Sequence, residues 1–119
     1  MSQEGAVDPL WSVRDDPDSG RLIAQLPRYI SGEIAAMTSA EVARRLTERG
    51  QPTVVVVDLY DVEDQDMIAP LVAMKGIMGV AGLIHRVDLI VRRQAIRVAA
   101  TTAAHILGLN FTVRSERDE

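Results

Sequence analysis

Five carboxylates crowd one short segment of the chain, and they are the residues best placed to do chemistry. Clustered carboxylates at the end of a strand can hold Mg²⁺ or Ca²⁺. The spacing fits no calcium loop, because the central glycine of such a loop is missing. We therefore expect a solvated turn whose aspartates cap the next helix and complement its dipole, without a bound metal. The five residues are Asp58, Asp61, Glu63, Asp64 and Asp66.

Other signs of catalysis are weak. A receiver domain would accept phosphate on such an aspartate, but it also needs an acidic pair after its first strand and a late lysine, and neither stands in the expected place. No serine is placed as an activated nucleophile beside His85 or His105. The chain has no cysteine, which excludes thiolate chemistry and suits a reducing cytoplasm. We predict a cytoplasmic protein that is not an enzyme and has no catalytic residues, cofactor or metal.

The charge pattern gives little support for nucleic acid as a partner. The formal net charge is -4 at pH 7, so a broad electrostatic attraction to nucleic acid or to anionic membranes is not expected. Arg92, Arg93 and Arg97 form one local basic patch between a predicted strand and a predicted helix. The patch could bind a phosphate or an acidic partner, but we favour its interpretation as a solvated strand end.

The segment 67–84 is the most apolar part of the chain. It has 18 residues, and Pro70, Lys75 and three glycines interrupt it. A membrane-spanning helix needs about 20 apolar residues, so we predict no transmembrane segment. One side of such a helix must cover the sheet, and the apolar excess on the other side indicates an interaction surface. We predict that it binds a protein partner or a second copy through Asp64, Asp66, Met67, Ile68, Met74, Lys75 and Met78.

Glycines recur every three residues in this segment, at Gly76, Gly79 and Gly82. Each glycine inside a helix costs about 1 kcal/mol relative to alanine, so packing must compensate. A stripe of glycines lets another backbone approach closely. The approaching backbone is either the protein's own sheet or a second chain.

The hydrophobic patterns predict alternating strands and helices. A hairpin is expected from strands at 10–14 and 21–26, joined by a turn at 16–20 with proline, aspartates and glycine. Thr38 and Glu41 have capping-box spacing at the start of a helix at 37–50, which Gly50 ends. The β-branched run 53–59 predicts a central strand that is buried on both faces and covered by helices. The other predicted elements are a helix at 67–83, a strand at 87–91, a helix at 95–107 with Ile96, Ala99, Ala103 and Ile106 on one side, and an edge strand at 111–113.

The order ββαβαβαβ predicts an α/β fold in one domain. Its mixed sheet has about five strands, which three or four helices cover. Residues 1–9 are polar, without the basic and apolar regions of a signal peptide, and we interpret them as a disordered lead. The domain covers residues 10–114, and residues 115–119 form a charged tail.

These segments resemble STAS domains, the fold of bacterial anti-sigma factor antagonists. The resemblance is carried by VVVVDLYDV at 54–62 and by Leu107-Gly108-Leu109, and it covers about residues 10–114. It implies a protein-binding role in bacterial signalling or assembly. Phospho-regulated members carry hydroxyls after the aspartate that Asp66 matches, whereas Met67 and Ile68 follow here, so the phosphoswitch is not expected. A small-molecule or lipid-binding module of the same fold is the alternative.

Overall fold

The computed structural model describes residues 10–117, in which strands and helices alternate. The strands are β1 (Ser12–Asp15), β2 (Leu22–Gln25), β3 (Tyr29–Ile30), β4 (Thr53–Asp58), β5 (Asp64–Gln65), β6 (Ile84–Ile90) and β7 (Phe111–Arg114). The helices are α1 (Gly32–Arg49), α2 (Ala69–Ile77), a 3₁₀ helix (Met78–Leu83) that continues α2, and α3 (Gln94–Ile106).

The main sheet has five strands in the order β1-β2-β4-β6-β7. Strands β1 and β2 are antiparallel, and the other neighbours are parallel. Strand β4 lies in the middle, which confirms the central position predicted for the valine run, and β7 lies at the edge. A separate parallel pair, β3 with β5, was not predicted. Each of its strands has only two residues, which is too short for a sequence period.

The turn between β1 and β2 forms as its residues predict. The Asp16 carboxylate accepts hydrogen bonds from the Asp18 backbone N–H at 3.1 Å and from the Ser19 hydroxyl at 2.7 Å. Gly20 has a φ of 75°, a conformation that glycine adopts without a steric cost. The hairpin prediction is therefore confirmed.

Helix α1 begins earlier than the sequence predicts. Ser31 is its N-cap, and the Ser31 hydroxyl accepts a hydrogen bond from the Ile34 backbone N–H at 3.0 Å. Thr38 lies inside the helix, where its hydroxyl donates to the Ile34 carbonyl at 2.8 Å. The predicted start at residue 37 and its capping box are therefore wrong, because a serine six residues upstream already satisfies the first turn. Gly50 ends the helix with a φ of 65°, as predicted.

All three helices lie on one face of the sheet. Successive side chains of a strand point to opposite faces, and Val55 and Val87 line the same apolar space as residues of α1, α2 and α3. Val56 and Ile90 point to the other face and are also buried. Both faces of β4 are therefore buried as predicted, and the helices cover one of them. The core beneath the helices includes Leu22, Ala24, Leu46, Val55, Leu59, Val87 and Leu89.

Helix α3 also differs in one detail from its predicted pattern. Ile96 and Ala104 are buried, whereas Ile106 is 63% exposed. Ile106 is the last residue of the helix, where the chain turns into Gly108 with a φ of 71°. The apolar side of α3 is therefore buried at Ile96 and exposed at Ile106, in the last turn of the helix.

Candidate functional site

The outer side of α2 and its 3₁₀ extension carries a row of exposed apolar side chains. Met67 is 93% exposed, Leu71 62% and Met78 60%. Leu71 and Lys75 are four positions apart in α2, so they share one side of the helix, and Lys75 is exposed. Met67 lies in the turn before α2, and Met78 begins the 3₁₀ helix after it. Ile68, 52% exposed, lies at the edge of the row. We call these five residues the α2 row.

The remaining predicted binding residues divide between the two sides of the helix. Met74 is half-buried and lines the space between α2 and the sheet, away from the α2 row. Asp64 is exposed in β5, and its carboxylate accepts a hydrogen bond from the Gln65 backbone N–H at 2.8 Å. The structure therefore brings Asp64, Asp66 and the α2 row onto one continuous stretch of surface, with Met74 beneath it.

Asp66 orders the turn that leads into α2. Its carboxylate accepts from the Ile68 backbone N–H at 3.1 Å, and its carbonyl accepts from the Ala69 N–H at 2.9 Å. Ile68 is the N-cap residue of α2 and makes no side-chain capping bond. The aspartate thus acts two residues before the N-cap position. Pro70 in the first turn lacks an N–H, which reduces the need for a cap.

The glycine stripe divides into two parts with different surroundings. A Cβ on Gly76 would collide with the Ser39 side chain of α1, so this glycine allows α1 and α2 to pack closely. A Cβ on Gly79 or Gly82 would meet nothing within 4 Å. Close packing within the chain therefore accounts for Gly76 alone. The element that packs against Gly76 is helix α1, and not the sheet.

The other carboxylates of the acidic segment hold arginines. Asp58 accepts from Arg117 Nε at 2.8 Å, and Asp61 accepts from Arg117 Nη2 at 3.0 Å. Glu63 pairs with Arg28 at 3.1 Å, and that guanidinium lowers the pKa of Glu63. Within residues 10–117 no group of three or more metal-binding side chains could hold an ion.

An arginine–tyrosine stack occupies the carboxyl end of β4. The guanidinium groups of Arg92 and Arg117 lie 4.6 and 4.7 Å from the centre of the Tyr60 ring. Arg92 Nε also donates to the Tyr60 carbonyl at 3.0 Å. Sequence reasoning assigned Arg117 to a charged tail and missed this contact, which joins residues more than fifty positions apart. Part of the basic patch therefore has a structural role.

An apolar cleft of about 180 Å³ lies between the sheet and the three helices. Its walls include Ala99, Ala100 and Ala103 of α3 and Ala73, Met74 and Ile77 of α2. The chain is only 3% aromatic, and the alanines of α3 are too short to fill the space. Apolar cavities of about 150 Å³ bind benzene in other proteins, so this cleft can hold a small apolar group.

Comparison with known proteins supports the fold. No protein-family model matches the chain, and no curated protein sequence matches it. A solved structure, an uncharacterized protein from the DUF3478 family with a SpoIIAA-like fold from Shewanella loihica PV-4, superimposes with a TM-score of 0.68. The two share 14% sequence identity, and the match covers 90% of this chain and 86% of that one. The chain therefore has a SpoIIAA-like, STAS-like fold, which confirms the resemblance at the level of architecture.

Among the described helices, none is both long enough and apolar enough to cross a membrane.

Proposed function

We propose that the chain is a non-enzymatic, STAS-type protein-interaction module of the cytoplasm, acting in bacterial signalling or assembly, and that the α2 row is its docking face. The observation that carries the proposal is the exposure of Met67, Leu71 and Met78, which lie in the turn before α2, in α2 and at the start of the 3₁₀ helix after it. Fully burying a side chain of this type contributes about 1.5–3 kcal/mol. A partner that covers the row would recover this free energy, which the isolated chain leaves unused.

The charges beside the row support a specific orientation of the partner. Asp64 and Asp66 precede the α2 row, and Lys75 lies within it. Charges at the edge of an apolar patch speed encounter and fix the register of a complex more than they raise its affinity. The proposed partner is therefore a protein that has its own apolar strip, with a cation facing Asp64 and Asp66 and an anion facing Lys75.

The proposal does not include regulation by a phosphate at the start of α2. Met67 and Ile68 stand before the helix and carry no hydroxyl, so docking depends on surface contacts alone at this point. The partner would be released by dilution or competition, without covalent modification of the docking face.

Site-specific photo-cross-linking in cells tests the proposal. A photoreactive phenylalanine analogue at Leu71 should give a defined cross-linked protein, identified by its peptides in mass spectrometry. Ile106 is the matched control, because it is 63% exposed on a different helix, against 62% for Leu71. The Leu71 product should disappear when Met67→Glu is added. The same cross-linked protein in equal yield from positions 71 and 106, or no cross-linked protein from position 71, would contradict the proposal.

A second candidate function is carriage of a small apolar ligand, which the cleft between the sheet and the helices favours. Its lining is almost entirely apolar, and α2 and α3 form its outer wall. Helix α2 would then serve as a cover over the ligand, and the α2 row would remain outside.

Filling the cleft tests this second candidate. Ala103→Leu places a larger side chain in the cleft, whereas Ala95→Leu makes the same change at an exposed position of α3. If the cleft holds a ligand of this size, benzene should raise the melting temperature of wild type and of Ala95→Leu but not of Ala103→Leu. Equal binding by both variants would place the ligand elsewhere, and no binding by wild type would reject this class of ligand.

A further inference from the structure

We infer that the partner of the α2 row is a second copy of this chain, bound antiparallel across a two-fold axis that passes near Leu71. The inference rests on the proposed docking function of the row and names its occupant. It follows from the order of charges along the row, from the lack of ion pairs at those charges, and from the open space beside two glycines.

The order of charges along the row is self-complementary. Asp66 precedes Leu71 by five residues, and Lys75 follows it by four. Lys75 lies roughly 6 Å from Leu71 along the axis of α2, at a rise of about 1.5 Å per residue. Asp66 lies in the turn just before α2, where its carbonyl accepts from the Ala69 N–H. A two-fold rotation about Leu71 therefore places Lys75 of one copy beside Asp66 of the other. The same rotation creates this pair twice, as an isologous interface requires.

These charges are also unpaired within the described part of the chain. Lys75, Asp64 and Asp66 take part in no salt bridge among residues 10–117, and the two aspartates accept only from backbone N–H groups next to them. The arginines of α1, by contrast, are held by carboxylates of the same chain. Antiparallel pairing of two α2 rows brings Lys75 of each copy to the acidic segment of the other copy.

The far end of the row has room for the second copy. Gly79 follows Met78, and a Cβ at this glycine would meet nothing within 4 Å. With Leu71 on the axis, Met78 of one copy faces the segment that precedes α2 in the other copy, which includes Asp64 of β5. The exposed glycine leaves space for the backbone of the partner's β5 to approach Met78.

Single cysteines test the geometry, because the natural chain has none. Leu71→Cys should form a disulfide-linked dimer under mild oxidation at least tenfold faster than Ile106→Cys, which has matched exposure. A mixture of Met78→Cys and Asp64→Cys proteins should give the mixed dimer faster than either protein alone gives its own dimer. Equal rates at positions 71 and 106 would overturn the inference, and rapid linkage of Met78→Cys to itself would replace the antiparallel arrangement with a parallel one.

Sedimentation of the cysteine-free protein tests the charge pairing. Lys75→Glu should raise the dissociation constant of the dimer about tenfold, because two ion pairs become two repulsions. Reversing Asp64 and Asp66 to lysine in the same chain should restore it to within about threefold. A wild type that stays monomeric at all concentrations would overturn the inference. The docking proposal would still stand if position 71 cross-links to a different protein, and it would fall with the inference if position 71 cross-links to nothing.

Discussion

Helices α1 and α2 lie side by side over the same sheet, yet their outer sides have opposite characters. The outer side of α1 is covered by ion pairs within the helix: Arg44 bonds Glu41 and Glu48, and Arg45 bonds Glu41. The outer side of α2 carries methionines and a leucine, and its one cation, Lys75, has no ion pair among the described residues. The charged side chains on the outer side of α1 thus find partners within the chain, whereas the apolar side chains on the outer side of α2 remain exposed to solvent.

The comparison separates stability from binding. Helix α1 buries Val42 and Leu46 in the core and satisfies its outer charges locally, so it needs no partner. Helix α2 has one fully buried residue, Ala69, within its nine residues. Its apolar side chains contribute little to the fold where they are exposed, and a bound partner is the remaining way for them to contribute free energy.

The largest expected effect comes from truncating equivalent leucines on the two helices. Leu46 of α1 is fully buried, so Leu46→Ala should lower the free energy of unfolding by about 2–5 kcal/mol. Leu71 of α2 is 62% exposed, so Leu71→Ala should change it by no more than about 0.5 kcal/mol. Urea denaturation of dilute protein measures both values. A loss at Leu71 as large as that at Leu46 would show that α2 is part of the stabilising core.

A smaller effect is expected at the contact between the two helices. Gly76→Ala introduces a methyl group where the Ser39 side chain lies, and overpacking of this kind costs about 1–3 kcal/mol. Gly79→Ala is the matched control, because its methyl group meets nothing within 4 Å, and it should leave stability unchanged or raise it slightly.

Thermal melts of the two glycine variants and of a rescue variant decide the cause of any loss. Ser39→Gly removes the side chain that the new methyl group meets, but it also adds a glycine to α1, which costs about 1 kcal/mol by itself. Gly76→Ala should therefore cost much less in the Ser39→Gly background than in wild type. If it costs the same in both backgrounds, the loss lies in the backbone of α2 and the contact between the helices is not its source.

Local signals account for the parts of the fold that the sequence predicts correctly. Asp16 and Gly20 specify the first turn through short-range hydrogen bonds and a positive φ, and Gly50 specifies the end of α1 in the same way. The valine run predicts the central strand because its β-branched residues occupy every position. Each of these features involves residues that are close together in the chain.

The features that the sequence does not predict depend on contacts between distant residues. The pair β3 with β5 joins Tyr29 to Asp64, which are far apart in the sequence. In the same way, Arg117 donates a hydrogen bond to Asp58 of a distant strand. Likewise, the role of Gly76 depends on Ser39, which belongs to another helix. The sequence predicts that α2 has more apolar residues than one buried side can hold. Which of those residues face outward depends on how closely α1 approaches α2.

The smallest expected effect concerns the ion pairs on the outer side of α1. Hydrogen bonds from Arg44 and then Arg45 lower the pKa of Glu41 to about 2. Because the pKa is lower in the folded chain than the ordinary value of about 4.5, the pairs stabilise the fold fully above about pH 5. This contribution is lost as the pH falls through 2. Solvent screens the pairs, so Glu41→Gln should cost less than about 1 kcal/mol at pH 7.

Comparing wild type with Glu41→Gln in urea at several pH values tests this assignment. The difference in unfolding free energy should be constant between pH 7 and 5, shrink as the pH falls towards 2, and decrease in high salt. Lys75→Gln on α2 should show no such dependence in dilute protein, since Lys75 has no carboxylate partner among residues 10–117. A pH-dependent and salt-dependent loss at Lys75 in the monomer would mean that α2, like α1, satisfies its charges within the chain. The contrast between the two helices, and with it the reason to expect a partner on α2, would then disappear.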